Sequence, residues 1–204
     1  HYDWQDRIGQ NITFDPATNA PIWNTKDYGL RVKSTTSVTH AGENRVRLQG
    51  ATKAPPPVGS VLATYGNAPT NRLAQAIHIA NSSDTYIENV TVYAAGGMAL
   101  IAERCNNVHL NGFVVTSTEE RTMATRADAT HFLGCKGLVR LENCLLEHML
   151  DDGINVHGAY IKIEEHVGDN TFLCEISHRQ QWGLTFAEPG DQVISTVYSF
   201  HATA

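Results

Sequence analysis

Several common signals are missing from this chain. No cluster of lysine and arginine occurs in its 204 residues, and acidic side chains outnumber basic ones 21 to 15 for a net charge of −6. A nucleic-acid backbone is therefore not an expected partner. No apolar stretch approaches the roughly 20 residues that a membrane-spanning helix needs, so membrane insertion is not expected either. Charged residues make up only 18%, and apolar residues nowhere keep a sustained 3.6 period, which disfavours helical bundles and helical solenoids. The four cysteines, Cys105, Cys135, Cys144 and Cys174, form no CxxC pair and no zinc-finger spacing. They are expected to be reduced and buried, as small apolar residues. The GxSxG, HExxH and P-loop signatures are absent, which removes three large classes of enzyme. The chain starts at His1 without Met or an apolar leader, so any signal peptide is expected to be cleaved or to lie outside this stretch.

What is present is a repeat. Thr85–Val92, Val108–Val115 and Val139–Leu146 superimpose, with apolar residues at the first, third, sixth and eighth positions, Thr85 and Cys144 being the softer matches. A polar or small pair lies between, the pattern of two short strands of period two joined at a bend. Each copy follows another short apolar segment: Ile77–Ile79, Leu100–Ala102 and His131–Leu133. Ile154–Val156 opens a fourth. The coil spacings read 23, 31 and 23, the long interval holding an insertion between Val115 and His131.

The expected fold is all-β: a right-handed parallel β-helix over residues 73–160 carrying the site, about four coils in all. Residues 1–72 are rich in turn signals, Asp15-Pro16, Asn19-Ala20-Pro21 and Pro55-Pro56-Pro57 among them, with short strands at Arg45–Leu48 and Val61–Tyr65. Residues 161–204 are read as an incomplete antiparallel segment with strands at Ile161–Ile163, Thr171–Ile176 and Gln192–Ser195. Together the flanks would make a small antiparallel β-barrel or sandwich. Solenoid ends need caps. Either the flanks supply them or the chain is one piece of a longer protein, and the second reading is preferred.

Aligning coils on His131 and Ile154 sets Asp128 level with Asp151, with Asp152 beside it. Stacked strands lie about 4.8 Å apart, so three carboxylates would crowd one corner. Gly153 permits the bend that turns both Asp151 and Asp152 outward. Gly96 and Gly97, one coil earlier, would leave a bare floor for a ligand. A single corner Asp usually caps a turn. Three mutually repelling ones are the raw material of general acid and base chemistry, with a calcium site as the competing oxygen-rich reading.

Arg126, His131, Asn155 and His157 surround the trio as candidate substrate-binding residues. Asn and His can donate to sugar hydroxyls, and Arg126 can hold a carboxylate ionised. His131 also aligns with Ile77, Leu100 and Ile154, so an inward, packed histidine competes with a ligand-binding one. His78 and His109 have no acidic partner in register and are expected as plain surface residues. Glu119-Glu120-Arg121 belongs to a solvated loop of the kind that walls clefts. Trp182 with Gln180-Gln181 offers a sugar-stacking face or, equally, a core residue.

Arg126-Ala127-Asp128-Ala129-Thr130-His131-Phe132, Cys135-Lys136-Gly137, Glu142-Asn143-Cys144 and Asp151-Asp152-Gly153-Ile154-Asn155-Val156-His157-Gly158 resemble the α-1,3-galactosidases of glycoside hydrolase family 110. So do Ala94–Glu103, His178–Gly183 and Gly190-Asp191. The resemblance covers most of the chain, and those enzymes are longer. It implies inverting hydrolysis of terminal α-1,3-linked galactose on a β-helix with inserted barrels, acting on a galactose-terminated oligosaccharide or glycoconjugate, outside the cell or in the periplasm of a bacterium. By likeness to β-helix polygalacturonases, Asp151 would be the general acid, and Asp128 and Asp152 would orient and deprotonate water. No cofactor and no metal are expected. Oligomeric state is left open, a homodimer being one arrangement. The alternatives are a polygalacturonase-like hydrolase, for which Arg126 alone is thin support, and a non-catalytic glycan-binding β-solenoid, which would gain nothing from repelling carboxylates.

Overall fold

A computed structural model describes residues 11–24, 37–50, 55–64, 72–178 and 181–195. Two compact units divide the chain, His1–His157 and Gly158–Ala204. The described residues contain strands, turns and no α-helix.

The first unit opens with antiparallel strands. In β1 (Asn11–Asp15), Asn11, Thr13 and Phe14 are buried. It pairs with β2 (Ala20–Pro21), Phe14 opposite Pro21, around the turn that Asp15-Pro16 begins. β3 (Ser37–His40) and β4 (Val46–Gln49) form an exposed hairpin. β5 (Val61–Thr64) returns to the other edge of β1. The β5 strand read from sequence extends to Tyr65, which lies outside the described residues.

The repeats follow as β6 (Ile77–Ala80), β7 (Ser83–Glu88), β8 (Thr91–Val92), β9 (Leu100–Glu103), β10 (Asn106–Asn111), β11 (Val114–Val115), β12 (Thr130–Leu133), β13 (Lys136–Glu142), β14 (Leu145–Leu146) and β15 (Ile154–His157). They build three parallel sheets, ordered β15-β12-β9-β6, β13-β10-β7 and β14-β11-β8, so each of three coils adds one strand to every sheet and β15 opens a fourth. Thr85, Val108 and Val139 stand in one row and Ile87, Leu110 and Leu141 in the next, as the eight-residue pattern demands. Period-two alternation turns Leu100, Leu110, Phe113, Val115 and Phe132 into a shared core, each fully buried. Each such side chain contributes about 1.5–3 kcal/mol by leaving water. On β15, the edge strand of its sheet, the equivalent inner positions Ile154 and Val156 are about half exposed.

One register differs from the sequence reading. Thr130, not His131, pairs with Leu100 and with Ile154. The 31-residue interval holds at Val108↔Val139 but shrinks to 30 at Asn106↔Lys136, because the β10–β13 ladder is interrupted between these pairs. The extra residue is accommodated around Gly137. There φ is +68° and a Cβ would stand 2.4 Å from Asn107 Oδ1, so only glycine fits. Asn107 Oδ1 in turn accepts from the Leu138 amide at 3.0 Å.

Cys105 is buried, Cys135 and Cys144 are half-buried and Cys174 is exposed, all four as free thiols. The burial expected for Cys174 is therefore wrong: its strand, β17 (Thr171–Glu175), is solvent-facing throughout. In the second unit β17 pairs with β16 (Lys162–Gly168) as an antiparallel hairpin. Gln192–Ser195, read as a strand, is irregular and has no ladder partner among the described residues.

Candidate active site

The corrected register moves the acidic alignment by one. Ala129 N donates to Asp152 O at 2.9 Å and Thr130 N to Gly153 O at 3.1 Å, so Asp128 stands level with Asp152 and Ala127 with Asp151. The trio nevertheless assembles. One carboxylate oxygen from each of Asp128, Asp151 and Asp152 lies within 4.8 Å of the others. Asp128 is buried, while Asp151 and Asp152 are exposed on the bend before Gly153. Oxygens so spaced are also the set that would hold a hard cation such as calcium.

Each carboxylate has its own partner. Arg72 Nη2 donates to Asp151 Oδ2 at 2.6 Å, reaching from the segment that leads into β6. His131 Nδ1 meets Asp128 Oδ2 at 2.5 Å with both side chains largely buried. Asn155 Nδ2 donates to Asp152 Oδ2 at 3.3 Å. Burial and the Asp128 charge push the Asp151 carboxyl above its ordinary range; Arg72 opposes the rise and Asp152 adds to it. A carboxyl so placed keeps its proton to higher pH than an isolated one, which is what a general acid needs.

His131 is not an inward core residue. Thr130 and Phe132 take the buried positions, and His131 stands in the outer row between Ile101 and Asn155. His157 is one row further along, opposite Leu133. Its Nε2 lies 2.9 Å from His131 Nε2, with the rings perpendicular.

The glycine floor is only half realised. A Cβ on Gly97 would fall 2.3 Å from Gln75 Oε1, which accepts from Met98 N at 2.6 Å, so the previous coil already fills that space. A Cβ on Gly96 would meet Ala74 O at 3.5 Å, ordinary contact, so that position tolerates a small side chain. With Ala94, Ala95, Arg121, Met123, Ala124 and Arg126, Gly96 lines a groove of about 330 Å³. Isolated parallel bridges Ala95↔Thr125↔Met149 tie the groove's coils together, and Arg126 falls two residues before Asp128. Asn19 Nδ2, after β1, donates to the Arg121 carbonyl at 3.2 Å and braces the insertion.

His78 and His109 do have acidic partners: Glu103 Oε2 at 2.7 Å and Glu142 Oε2 at 2.8 Å. Each partner is diagonal, on the next coil and two residues along, which a search of directly opposed positions misses. In the second unit, Trp182 is exposed rather than core, its indole donating to Ile176 O at 3.0 Å. Gln180 lies outside the described residues. Arg72 and Gln75 were not found from the sequence; they precede the first repeat and carry no periodic signal.

The chain is thus an all-β protein whose stacked parallel strands gather three carboxylates at one corner, a set suited to acid–base chemistry. A family model described as GLAA-B beta-barrel domain I matches residues 1–62. The chain is 38% identical to an α-1,3-galactosidase B of Phocaeicola vulgatus over 93% of its length, covering 32% of that protein. It is 36% identical to an α-1,3-galactosidase B of Bacteroides fragilis, with 93% of the chain and 31% of the relative aligned. It is 35% identical to an α-1,3-galactosidase A of Shewanella woodyi, over 72% of the chain and 24% of the relative. Over nine-tenths of its length the chain is thus similar to enzymes named α-1,3-galactosidase B. It spans about a third of the length of the curated relatives it matches.

Proposed function

We propose that the protein containing this chain is an exo-acting glycosidase that removes terminal α-1,3-linked galactose from glycans outside the cell or in the periplasm, with inversion at the anomeric carbon. The assembled trio carries the reading, and the relatives' shared name supplies the substrate class. Asp151 acts as general acid, protonating the departing glycosidic oxygen. Asp128 and Asp152 orient the water and take its proton. Arg126 and the groove in front of it receive the sugar. The coils wind right-handedly, as parallel crossovers overwhelmingly do.

Inversion is proposed against the resting distances. Inverting enzymes hold their carboxyls about 6.5–9.5 Å apart and retaining ones about 5–5.5 Å, whereas oxygens of the trio lie within 4.8 Å. Asp151 and Asp152 are exposed on a bend, so a sugar entering between Asp151 and the other two can splay them. The experiment is hydrolysis of a terminal Gal-α-1,3-Gal disaccharide by the full-length protein, followed by NMR. β-Galactose formed first supports the mechanism; α-galactose formed first refutes it, and no galactose release refutes the activity.

A further inference from the structure

We propose that His131 and His157 form a two-imidazole brace that fixes Asp128 as the base, rather than binding sugar. The inference rests on the functional reading above and deepens it. Asp128 is the buried member of the trio, 2% exposed, and an ionised carboxylate needs a donor there. His131 Nδ1, 2.5 Å from Asp128 Oδ2, is that donor.

This contact dictates the rest of the chain of bonds. With its proton on Nδ1, neutral His131 has only a lone pair at Nε2. The 2.9 Å approach of His157 Nε2 is then a donated N–H. If His131 takes up a proton, the bond reverses, His131 donating and His157 accepting, and Nδ1–H still points at Asp128. Two protons on the pair would set N–H against N–H and part the rings. The brace therefore keeps a donor on Asp128 with zero or one extra proton, and it fails with two. Asp128 Oδ2 is engaged throughout, which leaves Oδ1 for the attacking water.

The charged groups around the pair are Asp128 itself and Glu103 on β9, which is paired with His78 of β6. Asp152 with Asn155, and Asp151 with Arg72, face it from the following coil. Arg126 is two residues upstream of Asp128. His131 stands between Ile101 and Asn155 and His157 beside Leu133, so both are anchored on strands rather than on a loop.

His157 is thus a positioning residue acting through His131, and its test uses the full-length protein. In His131→Ala the base loses its donor, and kcat should fall roughly 10- to 100-fold, the worth of one hydrogen bond to a charged group. The acidic limb of kcat/KM should move to higher pH, because a carboxylate that loses a donor is easier to protonate. His157→Phe should move the same limb the same way by a smaller amount, with KM for the disaccharide unchanged. His157→Gln, whose amide can still donate to His131, should restore the limb. A raised KM with the limb unmoved would mean that His157 binds sugar and would overturn the proposal. Nitrogen-15 NMR of the imidazoles, independent of turnover, should find His131 protonated at Nδ1 near neutral pH; protonation at Nε2 alone would overturn it too. A parent protein that releases no galactose, yet shows that tautomer, refutes the glycosidase reading and leaves the brace standing.

Discussion

Arg72→Ala distinguishes the acid from the base. The guanidinium touches Asp151 Oδ2 at 2.6 Å, and the two side chains are 27% and 35% exposed. At that exposure water screens most of the attraction, and pairs of this kind are worth about 0.2–1 kcal/mol. One pH unit corresponds to about 1.4 kcal/mol, so losing Arg72 moves an Asp151 titration by a fraction of a pH unit. The direction is fixed. Burial, Asp128 and Asp152 all raise the carboxyl, and Arg72 opposes them; its removal lets the carboxyl keep its proton to still higher pH. If Asp151 is the acid, activity lost at alkaline pH is lost later, so the alkaline limb of kcat/KM for the disaccharide shifts upward. Arg72→Lys keeps the charge and should fall between the two. A downward shift, or movement of the acidic limb alone, would show that Asp151 does not work in its protonated form. Coincident profiles would show that the contact is absent from the working enzyme.

Asp151→Asn should cost about 10²- to 10⁴-fold in kcat, the usual worth of a positioned proton donor, with galactose binding kept; near-parental turnover would remove Asp151 from the chemistry. The same variant should raise Tm at neutral pH. A carboxyl raised above its ordinary value destabilises the fold while ionised, so the gain should be full above its folded-state titration and vanish as pH falls below the ordinary carboxylate range. A gain that grows towards acid would contradict the sign. Gly97→Ala drives a Cβ against Gln75 Oε1 and removes its bond to Met98 N. The expected loss is about 0.5–1.5 kcal/mol in denaturant unfolding, and an unchanged midpoint would mean that Gln75 does not seat there.

Much of the architecture was readable because stacked strands repeat their burial. The rows Thr85–Val108–Val139 and Ile87–Leu110–Leu141 follow from apolar residues recurring at fixed offsets. The acidic corner was readable for the same reason, though one residue out of step. The repeat is 31 residues long after the ladder absorbs the residue at Gly137 and 30 before it, and His131 lies on the shorter side. The slip made His131 look inward and hid its bond to Asp128. Contacts that depend on side-chain reach were not legible. Arg72 comes to Asp151 from a segment with left-handed backbone, φ +62°, and no repeat pattern. The diagonal pairs His78–Glu103 and His109–Glu142 likewise leave no mark at directly opposed positions.

The bridges through Thr125 give the solenoid a way to vary without harm. Apart from the one taken up around Gly137, the residues that lengthen the third coil fall before Thr125, where Ala95 and Met149 pin the backbone on both sides. Downstream of that pin the path to Asp128 is as tightly dictated as in an unembellished coil. Length and composition of the stretch between Thr116 and Met123 are thereby insulated from the acidic corner, yet Arg121 and Met123 still border the groove that Arg126 lines. Such a stretch can change in length while the backbone path to the acidic corner stays fixed.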